Sequence, residues 1–389
     1  MLLQPFCATF VFRPIGALVF GWIGDTIGRK ATVIMTTIMM SISCFIMANL
    51  PTYAEIGVAA AWIMTACRIF QGLSSMGEII GADLYLTELV KPPIQYPVVA
   101  TLESCFVLGG FAALGMASLV TSFGFNWRIA FWIGAGIALV GGFARTALRE
   151  TPEFVDAKRQ LTKTLEKANI DKKKIKDFSL YKESTNLKAV LAFFLTDCAW
   201  PLGFYLTYIY CGDILKNNFN YTSEQVIHQN LLVSVIELFG AFLLIYLSKK
   251  IYPLKILKIK LSVFVIFVIV CPYLFYKSTN PTHIFLIQSF IMLFGCFINP
   301  AFPIFYKHLP ILKRFTYVSF SFAVSRAVMY VITSFSIIYL IEYFGYWGLL
   351  FILIPVTIGF GYGVNFFQKL EQEVGNYPEK LFEVHPKET

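Results

Sequence analysis

The chain has 389 residues, of which 57% are hydrophobic and only 14% charged, with 39 phenylalanines and a formal net charge of +9. A soluble fold carries about 25% charged residues, so a water-soluble enzyme is excluded, and the basic residues are too dispersed for a nucleic-acid reader. Roughly 220 apolar residues suit about eleven membrane spans of about 20 residues each. The 8 cysteines and 4 histidines stand at no ligand spacing, so no metal site, disulfide framework or cofactor is expected.

Runs poor in charge place the predicted spans, in chain order, near residues 3–22, 31–50, 58–84, 98–121, 127–147, 189–211, 229–248, 260–277, 284–306, 315–340 and 345–367. Each is about long enough to cross ~30 Å of hydrocarbon at 1.5 Å per residue. Glycines and prolines inside them are tolerated in membrane helices. The one long hydrophilic stretch, 149–188, carries Leu161, Leu165 and Ala168 at helical spacing. It reads equally as an amphipathic helix on the membrane surface or as a solvated linker.

Lys and Arg fix the expected orientation. If the loop holding Arg29 and Lys30 is cytoplasmic, alternate loops on that side collect 25 of the 32 basic residues. The positive-inside rule then sets the C-terminus inside and Met1 outside. The expected organisation is an N-terminal bundle of five spans over 1–148, a cytoplasmic central loop over 149–188, a C-terminal bundle of six spans over 189–367, and a cytoplasmic tail over 368–389. The fold class is an all-α polytopic membrane bundle in two pseudo-repeated halves.

Two motifs carry a resemblance. Phe12-Arg13-Pro14-Ile15-Gly16 precedes Gly21-x-x-Gly24-Asp25-x-x-Gly28-Arg29-Lys30. The second resembles the loop signature G-x-x-x-D-x-x-G-R-K of the major facilitator superfamily, and the preceding Arg-Pro-x-Gly is similar to its metabolite:proton symporter branch, which includes proline/betaine, α-ketoglutarate and citrate carriers. Arg68 through Ser74 with Gly77-Glu78, and Arg145 through Phe154, resemble further stretches of that branch. The detailed resemblance covers residues 10–155. Met76 departs from a usual glycine, and Ser248 through Pro253 is an eroded second copy of the loop motif, without Asp or Gly.

The resemblance implies a secondary carrier working by alternating access, with proton-coupled uptake of a small polar metabolite, either an osmolyte such as proline or betaine or a di- or tricarboxylate. It implies an inner-side latch built from Asp25, Arg29, Glu88 and Glu150, with Gly21, Gly28 and Lys30 belonging to the same gating motif. It also leaves the family's first helix without a counterpart, so roughly 30–45 further residues with one apolar span are expected upstream of Met1. The alternative is a truncated, non-transporting paralogue serving as a membrane sensor or scaffold. No nucleophile–base constellation or phosphate-binding loop suggests an enzyme.

Charged side chains inside spans are the strongest residue-level pointers, because each costs ~2.5–3.5 kcal/mol at the bilayer centre on insertion scales. Arg68, Gln71, Ser75 and Glu78 fall on one face of a helix at 100° per residue. They read either as a substrate and proton pathway or as an internal Arg–Glu structural pair. Asn230, Ser234 and Glu237 share another face. Asp197 stands alone near Trp200 and Tyr208, and Ser319, Arg326 and Thr333 recur every seven residues. A protonatable Asp197 or Glu237 suits proton coupling, and Arg326 suits a substrate carboxylate. A satisfied helix–helix contact is the bland reading for each. Arg13, early in its span, reads as an anchor near the outer interface. The expected partners are a small polar metabolite, a proton and the lipid bilayer of a plasma membrane, bacterial inner membrane included, with no nucleic acid and a monomeric state.

Overall fold

The structure is a computed structural model that describes residues 10, 12–167 and 186–384. Among these residues it is helical without strands. Six helical stretches are long and apolar enough to cross a membrane by length and composition, among them Arg29–Ala48, Gln95–Phe123 and Ser223–Ser248. Their outward faces are apolar: Trp62, Ile137, Phe143, Phe239, Ile266 and Ile358 are exposed. Water would penalise such surfaces, whereas hydrocarbon accepts them. Polar side chains such as Thr32, Thr36, Gln288 and Ser325 are buried instead.

The described chain forms two compact units. The first comprises Met1–Lys91, Trp127–Val190 and Pro303–Ala327. Its helices are α1 (Arg13–Thr26), α2 (Arg29–Ala48), the short α3 (Tyr53–Ile56), α4 (Val58–Leu89), α6 (Arg128–Thr146) and α7 (Pro152–Lys167). Pro14 stands in the first turn of α1, where its missing N–H costs nothing. Thr52 and Glu55 make a capping box that starts α3. α2 packs most extensively against α6 and α4, and α1 also lies on α4. Small residues allow these approaches: a Cβ on Gly77 would come within 2.4 Å of the Thr36 methyl group, the close packing that membrane helices use in place of a hydrophobic drive.

The second unit comprises Pro92–Asn126, Leu191–Phe302 and Val328–Thr389. It contains α5 (Gln95–Phe123), most of α8 (Leu187–Asp197), α9 (Ala199–Phe204), a π-helical turn (Tyr205–Tyr210) and α10 (Cys211–Phe219). Then come α11 (Ser223–Ser248), α12 (Pro253–Tyr276), α13 (Pro281–Phe294) and, after the short α14 (Phe302–Lys307), the later part of α15 (Arg314–Phe344) and α16 (Leu350–Glu373). Thr222 and Gln225 form the capping box that begins α11. The most extensive packing in this unit is between α11 and α5, followed by α11 on α13 and α12 on α16. Each unit therefore takes one segment from the other half of the sequence: 92–126 joins the second, and 303–327, with the start of α15, joins the first.

The run 284–306 is not one helix: α13 ends at Phe294, and helix resumes only at Phe302. The intervening Gly295, Cys296, Ile298, Pro300 and Ala301 are buried in protein, the setting in which non-helical backbone is tolerated at membrane depth. The hydrophilic stretch does begin with a helix, α7, but Ala168 and the residues to 185 lie outside the described residues, as does the start of the 3–22 run.

Candidate functional site

The predicted motif residues converge at one end of the first unit. α1 ends at Thr26 and α2 begins at Arg29, so the turn is only two residues long. Gly28 makes it possible: its φ is +147°, and a Cβ there would lie 2.1 Å from Glu150 Oε2. That carboxylate accepts hydrogen bonds from the backbone N–H groups of Arg29 (3.0 Å) and Lys30 (3.3 Å). It thus caps the positive end of α2 from 120 residues away. The Lys30 ammonium donates to the Thr146 carbonyl at 2.8 Å.

Arg29 is fully buried, and its five N–H donors are matched by five acceptors. Nε and Nη2 donate to the two oxygens of Glu88 at 3.2 and 3.0 Å. Nη1 reaches the Gly24 carbonyl (2.7 Å) and Asp25 Oδ1 (3.3 Å), and Nη2 also reaches the Ile311 carbonyl (2.8 Å). The guanidinium lies 4.4 Å from the Phe154 ring centroid. A buried cation is tolerable only with this degree of pairing. Asp25 extends the network, accepting from the backbone N–H groups of Phe315 (3.1 Å) and Thr316 (2.8 Å) in the first turn of α15. Gly21 packs there too, since a Cβ on it would meet Thr316 Cα at 2.8 Å. Glu88 additionally accepts from Thr151 Oγ1 (2.6 Å) and Arg314 Nη1 (3.2 Å), and Arg314 contacts Glu153 at 3.3 Å. Two helix N-termini are thereby held by carboxylates distant in sequence, with Arg29 between them.

The four polar residues of α4 differ in their contacts. Arg68 donates to Gln71 Oε1 at 3.3 Å, and Gln71 donates to Cys44 Sγ at 3.4 Å. Ser75 is satisfied by the Gly72 carbonyl at 2.8 Å. Glu78 pairs with Arg145 of α6 at 2.7 Å, with about a quarter of each side chain still exposed, and Arg145 also donates to Thr37 of α2. An internal Arg68–Glu78 pair, the structural alternative to a pathway, does not form, and the two side chains make separate contacts.

Of the remaining candidates, Arg326 belongs to the first unit. It is buried, donating to the Phe322 carbonyl (3.2 Å) and Ser325 Oγ (3.3 Å) of its own helix. Asp197 and Glu237 belong to the second unit. Asp197 is buried at the end of α8, before an aromatic row in which Trp200 stacks on Phe204 at 5.3 Å and Phe204 meets Tyr208 at 5.2 Å. Glu237 accepts a 2.6 Å hydrogen bond from the Tyr208 hydroxyl. Sequence reasoning missed Arg314 and Gln288 and read Arg145 only as part of a span exit. Arg314 was counted as a loop charge, and Gln288 is a neutral side chain in a charge-free run.

Apolar outward faces, buried polar networks and spans of membrane length define an integral membrane helix bundle. The family model of the Major Facilitator Superfamily matches residues 6–325, and the chain belongs to that superfamily. Among curated relatives, a proline/betaine transporter of Salmonella typhimurium is 34% identical over 159 residues, 39% of this chain and 32% of the relative. A putative proline/betaine transporter of Staphylococcus aureus is 36% identical over 152 residues, 37% of this chain and 33% of the relative. This chain thus matches about a third of the length of those relatives. The solved proton:xylose symporter XylE bound to 6-bromo-6-deoxy-D-glucose shares the fold, with a TM-score of 0.73 at 14% identity over 94% of this chain and 86% of that one.

Proposed function

We propose that the protein is a secondary active carrier that takes up a small polar metabolite together with protons by alternating access. The substrate is an osmolyte such as proline or betaine, or a di- or tricarboxylate. The observation that carries the reading is the Arg29 cluster, in which a fully buried arginine ties residues 24–25, 88 and 311 together with all five donors engaged. A cluster of that kind favours one of two arrangements by a few kcal/mol, which is what a latch in a two-state carrier requires. The names of the curated relatives support an osmolyte, and the fold neighbour is a proton symporter by name.

In this reading Gly21, Asp25, Gly28, Arg29, Lys30, Glu88 and Glu150 form the latch on the cytoplasmic side. Arg68, Gln71, Ser75, Glu78, Asp197, Glu237 and Arg326 serve the substrate and proton pathway. The halves 1–148 and 189–367 rock about a midplane site, with 149–188 and the tail from 368 in the cytoplasm. The carrier acts as a monomer in the plasma membrane, with no nucleic-acid partner. The test is uptake into proteoliposomes under an inward proton gradient, offering labelled proline, glycine betaine, citrate and 2-oxoglutarate. Accumulation of at least one, collapsed by a protonophore, is expected. Accumulation of none would overturn the proposal.

A further inference from the structure

The second unit holds a polar assembly that charge-based reading passes over. The chain between α9 and α10 winds as a π-helix over Tyr205–Tyr210, and the N–H of Cys211 bonds the Leu206 carbonyl five residues back. Such turns leave the regular ladder and occur often at functional positions. Here two carboxamides occupy two carbonyls of the turn. Gln288 Nε2 donates to the Thr207 carbonyl at 2.7 Å and to Asn230 Oδ1 at 3.2 Å, and Asn230 Nδ2 donates to the Tyr208 carbonyl at 3.4 Å. Gln229 Nε2 donates to Gln288 Oε1 at 2.8 Å. Gln288 and Thr207 are fully buried. A chain of three carboxamides therefore fixes the backbone of Tyr208, and the Tyr208 hydroxyl is fixed in turn on Glu237.

Glu237 stands two turns along α11 from Asn230, and among the described residues Tyr208 is its one hydrogen-bond partner. Other charged or ionisable groups lie on the elements packed against α11: Glu103 on α5, Asp213 and Lys216 on α10, Lys255, Lys258 and Lys260 on α12 and His283 on α13. None of them pairs with Glu237. A bare carboxylate within a span, with no cation beside it, is costly, and a phenol is a donor that can cover the group without neutralising it.

Resting on the carrier reading above, we propose that Glu237 is the group through which the second unit takes up and releases the coupling proton. Tyr208 is its gate, positioned by the clamp of Gln288 and Asn230 on the π-turn. With the turn clamped, the Tyr208 hydroxyl covers the carboxyl group and keeps it from water. When the clamp yields and the turn rewinds, the phenol withdraws and the proton exchanges.

The test reads Glu237 directly and needs no substrate. The full chain in native membranes is treated with dicyclohexylcarbodiimide, a membrane-soluble reagent that adds to protonated carboxyl groups, and the adduct at residue 237 is quantified by peptide mass spectrometry. Tyr208→Phe, which removes only the hydroxyl, is expected to label about fivefold faster at pH 6. Its labelling should fall more than tenfold between pH 6 and pH 9, whereas wild type changes less than twofold. Gln288→Leu should behave like Tyr208→Phe, and Glu237→Gln should show no adduct there. Equal rates and one pH profile in wild type and Tyr208→Phe would overturn the gate, and absence of a Glu237 adduct in every variant would overturn the proton site. Failure of the carrier reading would show separately, as absence of solute accumulation by the wild type, and would leave the labelling comparison decisive for the gate.

Discussion

Asp25 shows how much one carboxylate can do at a helix junction. Its two oxygens take the amides of Phe315 and Thr316 while one also meets Arg29. Hydrogen bonds to a charged group contribute about 1.5–3 kcal/mol each. Asp25→Asn keeps the size but turns one acceptor into a donor, which then faces an N–H, and it removes the charge opposite Arg29. The substitution is expected to leave membrane insertion and yield intact while cutting solute uptake about tenfold or more, as measured in proteoliposomes containing equal amounts of protein. Uptake at the wild-type rate would reduce the motif to an orientation signal. The sequence made Asp25, Arg29, Glu88 and Glu150 visible because a spaced-glycine motif and charges at span ends stand out against an apolar background. It gave no sign of Arg314 or of the Ile311 carbonyl. Those partners come from more than 200 residues away, and one of them is backbone.

At the level of elements, the α1–α2 turn is the tightest constraint. Gly28 combines a positive φ with a Cβ position occupied by Glu150, so Gly28→Ala carries both backbone strain and displacement of the carboxylate that caps α2. A loss of about 1–3 kcal/mol in stability is expected from the strained conformation alone, seen as a lowered melting temperature in detergent. Gly109→Ala in α5 is the control. Nothing lies within 4 Å of its Cβ position, and a helical alanine is favoured by up to about 1 kcal/mol, so its melting temperature should hold or rise. If both variants melted alike, the cap would have no structural weight. Helix existence was largely legible, since runs poor in charge locate apolar helices whatever their partners. The break after Phe294 was not, because Gly295 and Pro300 look the same in sequence as the glycines and prolines that continuous membrane helices tolerate. The π-turn at 205–210 was hidden for a related reason: the side chains that bond its carbonyls, Gln288 and Asn230, lie on other helices.

At the level of the whole molecule, the α4 residues offer a test of motion. Gln71 and Ser75 are both buried in the structure, yet a pathway role requires them to meet water in another arrangement. Cysteines introduced at these positions, in a background without native cysteines, are expected to react with a membrane-impermeant thiol reagent. Proline or betaine should slow the reaction if either is carried. Labelling at Leu73 but not at Gln71 or Ser75 would place the aqueous path elsewhere. The sequence identified this face through periodicity and left open whether Arg68 and Glu78 pair with each other, since helical spacing reports which residues share a side and not which neighbour answers them. Arg145 supplies that answer from α6, where its position at a span exit had made it look like an ordinary loop charge.

The unwound stretch between α13 and α14 bears on how the protein is made. The 14 residues of α13 extend about 21 Å at 1.5 Å per residue, short of the ~30 Å hydrocarbon core. Neither piece of this span can satisfy its own backbone across a bilayer. The backbone of residues 295–301 leaves the helical ladder, with the amides of Gly295, Phe297 and Ala301 bonded locally, and it tolerates lipid only once neighbouring helices enclose the rest. Such a segment is a poor solitary stop-transfer signal. Leaving the translocon as a stable helix is open to the α11 stretch, but this one must wait for company, so its membrane entry becomes a late and collective step in assembly.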